Sequence, residues 1–191
     1  MTDFKAGETT NPSAPAMDLA TWGLLLLLAL IWGGSFLFGR IAVQEVPPLA
    51  VVFFRVALAA IAIWAWLLLR SGLPKITPWF AGAVAGMALF NNIIPFSLIF
   101  YGQQEIGSGL ASIVNAMTPI WTVLIANALT SDERLSGRKL IGILAGFAGV
   151  AVLMGGDALA GLKASAWAQA AVLLATVSYG YAGVYGKRFK G

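Results

Sequence analysis

The sequence predicts an all-α integral membrane protein, a polytopic bundle of six transmembrane helices. Hydrophobic residues fill 59% of its 191 positions and charged residues only 10%, whereas about a quarter of the residues of a soluble domain are charged. Apolar runs of roughly 20 residues, the length that a helix needs to cross a lipid bilayer, recur along the chain with short connections. Spans one to six cover residues 20–41, 49–69, 79–101, 108–130, 139–156 and 166–186.

Before span one, residues 1–17 form a polar segment, MTDFKAGETTNPSAPAM. Small and polar residues of this kind cannot build a hydrophobic core, so we expect a disordered cytoplasmic tail. The alternative is that span one belongs to a cleaved signal peptide. It is disfavoured because Lys5 lies among acidic residues and no clear cleavage site follows a short apolar segment.

Basic residues in the connections predict a cytoplasmic N-terminus. In that orientation nine Lys and Arg residues lie on the cytoplasmic side and three at the far side, in keeping with the tendency of basic loops to stay inside. Both ends of the chain are then cytoplasmic, and we expect a multi-pass protein of a bacterial inner membrane. No loop combines a basic patch with interleaved aromatic residues, so nucleic acid is not an expected partner.

The residues at membrane depth argue against an enzyme. The chain has no Cys and no His, and no Asp or Glu lies within the six spans. Intramembrane aspartyl proteases need two carboxylates, and serine or metal-dependent types need a His base or ligand. We therefore expect no catalytic residues, no metal and no cofactor.

Span one carries Trp32, Ser35 and Phe36 around a glycine pair in its outer half. The run Gly33-Gly34-Ser35 removes side-chain bulk over most of a turn, so a neighbouring helix or a ligand can approach the backbone. Tight helix packing and the lining of a cavity are both open at this stage.

Span two begins at a Pro47-Pro48 break and carries Arg55, a charge placed well inside a span. Seven residues past Pro48 correspond to roughly 10 Å along a helix. An arginine at the bilayer centre costs about 2.5–3.5 kcal/mol on insertion scales, so it must reach the interface, meet a partner such as Glu45 or Glu105, or face a cavity. In the last case its guanidinium could hold a carboxylate or a phosphate.

Spans three and four contain polar residues at membrane depth. In span three, Asn91 and Asn92 precede Pro95, and these groups are tolerated only where neighbouring helices or water satisfy them. Span four has a polar stripe at helical spacing, which includes a proline that should kink the helix. The stripe consists of Ser112, Asn115, Pro119 and Thr122, flanked by Thr118 and Trp121. Packing against other helices and cavity lining are alternatives for both spans.

Span six repeats the pattern of span one. Leu173–Lys187 aligns with Leu26–Arg40 at an offset of 147 residues, with four identities. Aromatic matches aromatic where Trp32 aligns with Tyr179, and Gly33 aligns with Gly180. Gly142, Gly146 and Gly149 in span five predict a close-packing helix face. Gly180, Gly183 and Gly186 in span six lie three residues apart on one stripe.

Three stretches resemble the EamA-type permeases of the drug/metabolite transporter superfamily. They are IWGGSFLFGRIA in span one, PPLAVVFFRVALAA in span two, and SIVNAMTPIWTVLIANALTSDERLSGRKLIGILAGFAGVAVLM across spans four and five. The resemblance implies ten helices in two inverted five-helix repeats, with substrate bound between the repeats. Residues 18–157 would then be the first repeat and residues 158–191 the start of a second, so that a missing second repeat or a partner chain must complete the site.

From this resemblance and the polar residues we predict a secondary transporter, an exporter of a small polar metabolite such as an amino acid, working by alternating access. A structural or partner-dependent membrane subunit without transport activity is the alternative. The residues expected to line the path are Arg55, Asn92, Asn115, Thr118 and Pro119. Those expected to shape it are Trp32, Ser35, Phe36 and Trp121.

Overall fold

The structure is a computed structural model, and it describes residues 17–70, 72, 76–130, 136–137, 139–146, 148–149, 152 and 166–189. These residues are helical apart from caps and turns, and no strand occurs among them. The helices are α1 (Leu19–Glu45), α2 (Pro48–Arg70), α3 (Pro78–Ala88), a π-helix (Leu89–Ile93), α4 (Ile94–Gln103), α5 (Ser108–Asn115), α6 (Thr118–Leu129), α7 (described over 139–146), α8 (Ala166–Tyr185) and a short 3₁₀ helix (Gly186–Phe189). The predicted tail at 1–17 lies almost entirely outside the described residues.

Among the described residues, four helical segments are long and apolar enough to cross a membrane, and they correspond to spans one to four. Their ranges are Leu19–Glu45, Pro48–Arg70, Pro78–Gln103 and Ser108–Leu129. Span six is helical as predicted, but it is more polar and does not belong to this set. Span five is helical over 139–146, and most of its second half lies outside the described residues. The chain is therefore an all-α, multi-pass membrane protein.

Prolines determine how spans three and four deviate from regular helices. Before Pro95 the chain forms a π-helix, in which the N–H of Ile94 bonds to the carbonyl of Leu89. In this i→i+5 pattern the carbonyl of Phe90 would pair with residue 95, which as a proline has no N–H. The hydroxyl of Ser178 on α8 donates to that carbonyl instead, at 2.7 Å. A neighbouring helix thus satisfies a backbone group that the proline leaves unpaired.

Span four is broken into α5 and α6, as the proline at position 119 predicts. Pro119 cannot donate a bond to the carbonyl of Asn115 one turn earlier. The hydroxyl of Thr118 donates to that carbonyl at 2.8 Å. A turn at 116–117 separates the two helices, so the break is local and the span continues.

The buried core lies at one end of the bundle, here called the hairpin end because α1 and α2 are joined there. It takes residues from the end of α1, the start of α2, the end of α4 and the first turns of α5 and α8. Its members are Val43, Val52, Ile99, Phe100, Ile106, Ala111, Ala168, Val172 and Ala175. Away from this end, α1 and α2 are almost wholly exposed.

Helix α8 is the most extensively packed element and rests mainly on α4 and α6. A Cβ atom on Gly180 would lie 2.8 Å from Cβ of Trp121 and 2.9 Å from the backbone nitrogen of Thr122, and one on Gly102 would lie 2.8 Å from the carbonyl oxygen of Ala168. Gly180 and Gly102 therefore allow close contact between α8 and the backbones of its neighbours.

The described part of the chain does not test the close packing predicted for span five. A Cβ atom on Gly142, Gly146 or Gly149 would meet nothing within 4 Å there, and the same holds for Gly33 in span one. These positions face space that the described residues leave open.

Candidate functional site

Arg55 joins four of the spans. Its Nη1 donates to Oγ of Ser35 on α1 at 2.5 Å, and its Cζ lies 4.5 Å from the ring centroid of Phe96 on α4. Phe96 in turn makes an edge contact with Tyr179 on α8, with 6.5 Å between the ring centroids. We call Ser35, Arg55, Phe96 and Tyr179 the Arg55 cluster. It brings together spans one, two, three and six.

The guanidinium of Arg55 has no carboxylate partner in the described part of the protein. Pairing with Glu45 or Glu105 was one of the sequence-based alternatives, and neither pair is formed. The carboxylate of Glu105 instead accepts from Nε1 of Trp167 at 2.8 Å. Since a guanidinium carries five N–H donors in a planar fork, the single bond to Ser35 leaves Arg55 able to bind an anionic group.

The hairpin end contains a polar contact that the sequence does not predict, which we call the Gln103 clamp. Gln103 is completely buried, and its Nε2 donates to the backbone carbonyl of Phe36 at 2.9 Å. Its own backbone carbonyl accepts from Nη1 of Arg40. Gly39 permits this approach, since a Cβ there would lie 2.6 Å from the ring of Phe100. The clamp fixes the last turns of α1 against the end of α4.

Two buried polar atoms in span four have no hydrogen-bond partner among the described residues. They are Oδ1 of Asn115 and Nε1 of Trp121, one acceptor and one donor on either side of the break at Pro119. Buried polar groups are usually paired, and an unpaired one costs about 1–3 kcal/mol. Both atoms are thus available to a polar ligand or to water.

The hydroxyl groups on the predicted polar stripe of span four bond within their own span. Ser112 donates to the carbonyl of Gly109 at 2.8 Å, and Thr122 donates to that of Thr118 at 2.9 Å. Hydroxyl groups used in this way satisfy the local backbone. These hydroxyl groups therefore have less hydrogen-bonding capacity left for a ligand than the helical spacing of the stripe indicated.

The nine predicted site residues do not form one cavity in this structure. Ser35 contacts Arg55, Thr118 contacts Asn115, Phe36 belongs to the Gln103 clamp, and Trp121 packs against Gly180. Pro119 lines an apolar cleft of about 470 Å³ between span four and α7. Trp32 is 64% exposed, and Asn92 is half-buried in the π-helix. The predicted site is therefore distributed over two groups of contacts, at Arg55 and at the span-four break.

Nothing in the described residues suggests a metal centre. No group of three or more His, Cys, Asp or Glu side chains is close enough there to hold an ion.

Comparison with known proteins connects these features to a family. Residues 21–155 match the EamA-like transporter family. The chain is 31% identical over 176 residues to a protein of Escherichia coli K12 called "Uncharacterized inner membrane transporter YedA", covering 89% of this chain and 54% of that protein. It is 36% identical over 123 residues to "Protein PagO" of Salmonella typhimurium, covering 63% of this chain and 39% of that protein.

A third relative is more distant. The "Uncharacterized transporter YoaV" of Bacillus subtilis is 23% identical over 163 residues, covering 85% of this chain and 56% of that protein. The chain spans about half the length of the curated relatives it matches. No solved structure matches it significantly. By the extent of the family match and by its relatives, the chain belongs to the EamA-like transporter family.

Proposed function

We propose that this chain supplies one half of a secondary transporter that exports a small polar metabolite, an amino acid or a related carboxylate, by alternating access. The observation that carries the proposal is Arg55, a cation at membrane depth that is bound to Ser35 and Phe96 and to no carboxylate in the described residues. An arginine without a counter-ion inside a membrane protein is typical of a site for an anionic group.

The surroundings of Arg55 fit this role. Ser35 fixes one arm of the guanidinium, and the face of the Phe96 ring supports the cation by an interaction worth about 0.5–2 kcal/mol. The opposite edge of the planar group stays available for a bidentate bond to a carboxylate. In this proposal Asn115 and Trp121 supply the neutral polar contacts of the path, since each has a buried atom without a partner in the described chain.

The proposal includes a location and an orientation. Relatives named as inner membrane transporters support a bacterial inner membrane, and the distribution of basic residues supports a cytoplasmic N-terminus. The hairpin end then faces outward. With the core and the Gln103 clamp at that end, the chain would be closed toward the outside and open between α1, α2 and the packed body toward the cytoplasm.

A replacement series at Arg55 tests the proposal in the full-length reading frame, in proteoliposomes loaded with labelled amino acids. Arg55→Ala should abolish transport of carboxylate substrates with normal expression, because the anionic group loses the guanidinium that holds it. Arg55→Lys should retain part of it, because the charge remains and the planar fork is lost. Arg70→Ala, at the exposed end of the same helix, is the matched control and should transport normally.

The alternative is a structural or partner-dependent membrane subunit with no transport activity of its own. The observation in its favour is that the nine predicted site residues do not form one cavity in this structure. Unchanged transport in Arg55→Ala would contradict the assigned role of Arg55. A full-length protein that moves no solute, with or without Arg55, would favour the subunit.

A further inference from the structure

An aromatic cluster joins α8 to α3 and the π-helix at the end of the bundle away from the hairpin end, here called the opposite end. Its members are Phe80, Phe90, Tyr181, Tyr185 and Phe189. The ring of Phe189 meets that of Phe80 at an edge, with 6.3 Å between the ring centroids. The cluster therefore holds the 3₁₀ helix that follows α8 against the first turn of α3.

Two glycines allow the close approach of the helices at this cluster. A Cβ atom on Gly86 would lie 2.8 Å from Cζ of Tyr185, and one on Gly186 would lie 3.1 Å from Cε of Met87. The ring of Tyr185 is thus held between the backbone of α3 and the end of α8. A ring fixed in this way can orient a charged group that stacks on it.

Arg188 is the charged group that stacks on this ring. Its Cζ lies 4.7 Å from the ring centroid of Tyr185, a distance at which the face of an aromatic ring attracts a cation. The side chain is exposed, and no described residue forms an ion pair or a hydrogen bond with its guanidinium. Its N–H donors are therefore available to a ligand that approaches from outside.

The described carboxylates are all used or lie elsewhere. Asp18 caps the start of α1, Glu45 is the last residue of α1 at the hairpin end, and Glu105 accepts from Trp167. A cationic ligand group would therefore find no described acidic partner beside Arg188. The site favours a ligand whose net charge is negative.

The aromatic residues around Arg188 indicate its level in the membrane. Trp66 near the end of α2 and Trp79 at the start of α3 are both exposed at the opposite end. Exposed tryptophans of membrane proteins are enriched at the level of the lipid headgroups. Since Phe80 follows Trp79 and contacts Phe189, Arg188 lies at the same level.

We propose that Arg188, stacked on Tyr185 and flanked by Phe80 and Phe189, binds the phosphate of an anionic phospholipid such as phosphatidylglycerol. The planar guanidinium donates two parallel hydrogen bonds to the phosphodiester. The two phenylalanine rings, both exposed, contact the glycerol and the first methylene groups of the acyl chains. The lipid thereby bridges α3 and the end of α8. This inference goes beyond the proposed function and does not depend on the substrate.

Native mass spectrometry of the full-length protein in detergent tests the inference. Titration with phosphatidylglycerol or phosphatidylcholine gives the Kd of the first bound lipid, and the parent should prefer phosphatidylglycerol. Arg188→Gln should weaken the binding of phosphatidylglycerol about fivefold, since one basic residue near anionic lipid contributes about 1 kcal/mol. Arg188→Lys should lose less, because the charge remains and only the planar fork is lost.

The matched control is Arg70→Gln. Arg70 ends α2 at the same end of the bundle, and no aromatic ring of the described residues lies over it. Its replacement should leave the affinity for phosphatidylglycerol unchanged. An equal loss in Arg70→Gln and Arg188→Gln would show that general positive charge attracts the lipid, and this would overturn the inference. So would an unchanged affinity in Arg188→Gln.

A second measurement separates a lipid from a soluble phosphate. The melting temperature of the full-length protein in detergent should rise with phosphatidylglycerol, because a ligand that binds the folded state stabilises it. The rise should be smaller in Arg188→Gln and absent with glycerol 3-phosphate. An equal rise with glycerol 3-phosphate would assign the site to soluble phosphates and overturn the inference. Neither readout uses transport, so a failure here is distinguishable from a failure of the role proposed for Arg55.

Discussion

Helices α1 and α8 share a sequence pattern and differ in how they are packed. The two aligned segments keep glycine, aromatic and basic residues at the same places. In the structure, α8 buries eight residues along most of its length, whereas α1 buries only Gly39 and Val43, both near the hairpin end. The same sequence pattern therefore occurs in one helix that is largely buried and in one that is largely exposed.

In a membrane protein, an apolar sequence pattern therefore does not show whether a helix is covered by other helices or faces lipid. Lipid chains are as apolar as Leu, so a helix loses little by facing them. What distinguishes α8 is close backbone contact at glycine and a few polar bonds to neighbouring helices. The corresponding features of α1 are confined to the turns around Gly39 and Arg40.

The largest expected effect comes from disrupting the packing of α8. Gly180→Leu in the 191-residue chain should lower the free energy of unfolding by about 1–3 kcal/mol or more, because the new side chain meets the backbone of α6. Gly23→Leu on α1, with nothing within 4 Å among the described residues, should stay within about 0.5 kcal/mol of the parent. Denaturant titration in mixed micelles measures both. Equal losses would contradict the contrast between the two helices.

The next largest effect is expected in the last turns of α1, which the Gln103 clamp holds against α4. Gln103→Ala should cost about 1–2 kcal/mol, because it removes the bond to the carbonyl of Phe36 and leaves a gap at Gly39. Gln104→Ala, at the exposed neighbouring position, is the control. Hydrogen exchange should accelerate in the last turns of α1 and not in α8. A uniform change across both helices would show that the Gln103 clamp does not act on α1.

The smallest effect concerns the polar bond that α8 makes to the π-helix. Ser178→Ala should cost roughly 0.6 kcal/mol, the average for hydrogen bonds between transmembrane helices, because the carbonyl of Phe90 loses its donor. Ser97→Ala removes a hydroxyl that bonds within its own segment, to the carbonyl of Ile93, and should cost less. A larger loss for Ser97→Ala would mean that the bond to Phe90 does not stabilise α8.

Much of the fold follows from the sequence, because bilayer thickness and backbone bonding leave few choices. Apolar length predicts spans one to four, and the missing N–H of Pro119 predicts the break in span four. The Gln103 clamp could not be predicted, since it joins residues 67 positions apart and its signal was one polar residue at a span end. Nor could the exposure of Gly33, because its sequence environment matches that of Gly180.

The candidate site was predicted in part. Arg55 stood out as a charge inside a span, and its contact with Ser35 gives it a defined place. Phe96 and Tyr179 were not singled out for it, because aromatic residues are common in every span and only the packing brings these two near the cation. The roles of Arg55 and of the other eight predicted residues in binding remain predictions.

The most direct test of the account asks whether Arg55 acts on solutes in a water-filled path. In the full-length protein, Ser35→Cys should react faster with an anionic methanethiosulfonate reagent than with a cationic one, and adding Arg55→Gln should remove this preference. Phe53→Cys, 66% exposed on α2 and facing lipid in this account, should stay unreactive. A Ser35→Cys variant that is inert to both reagents, or whose charge preference is unchanged by Arg55→Gln, would contradict the central claim.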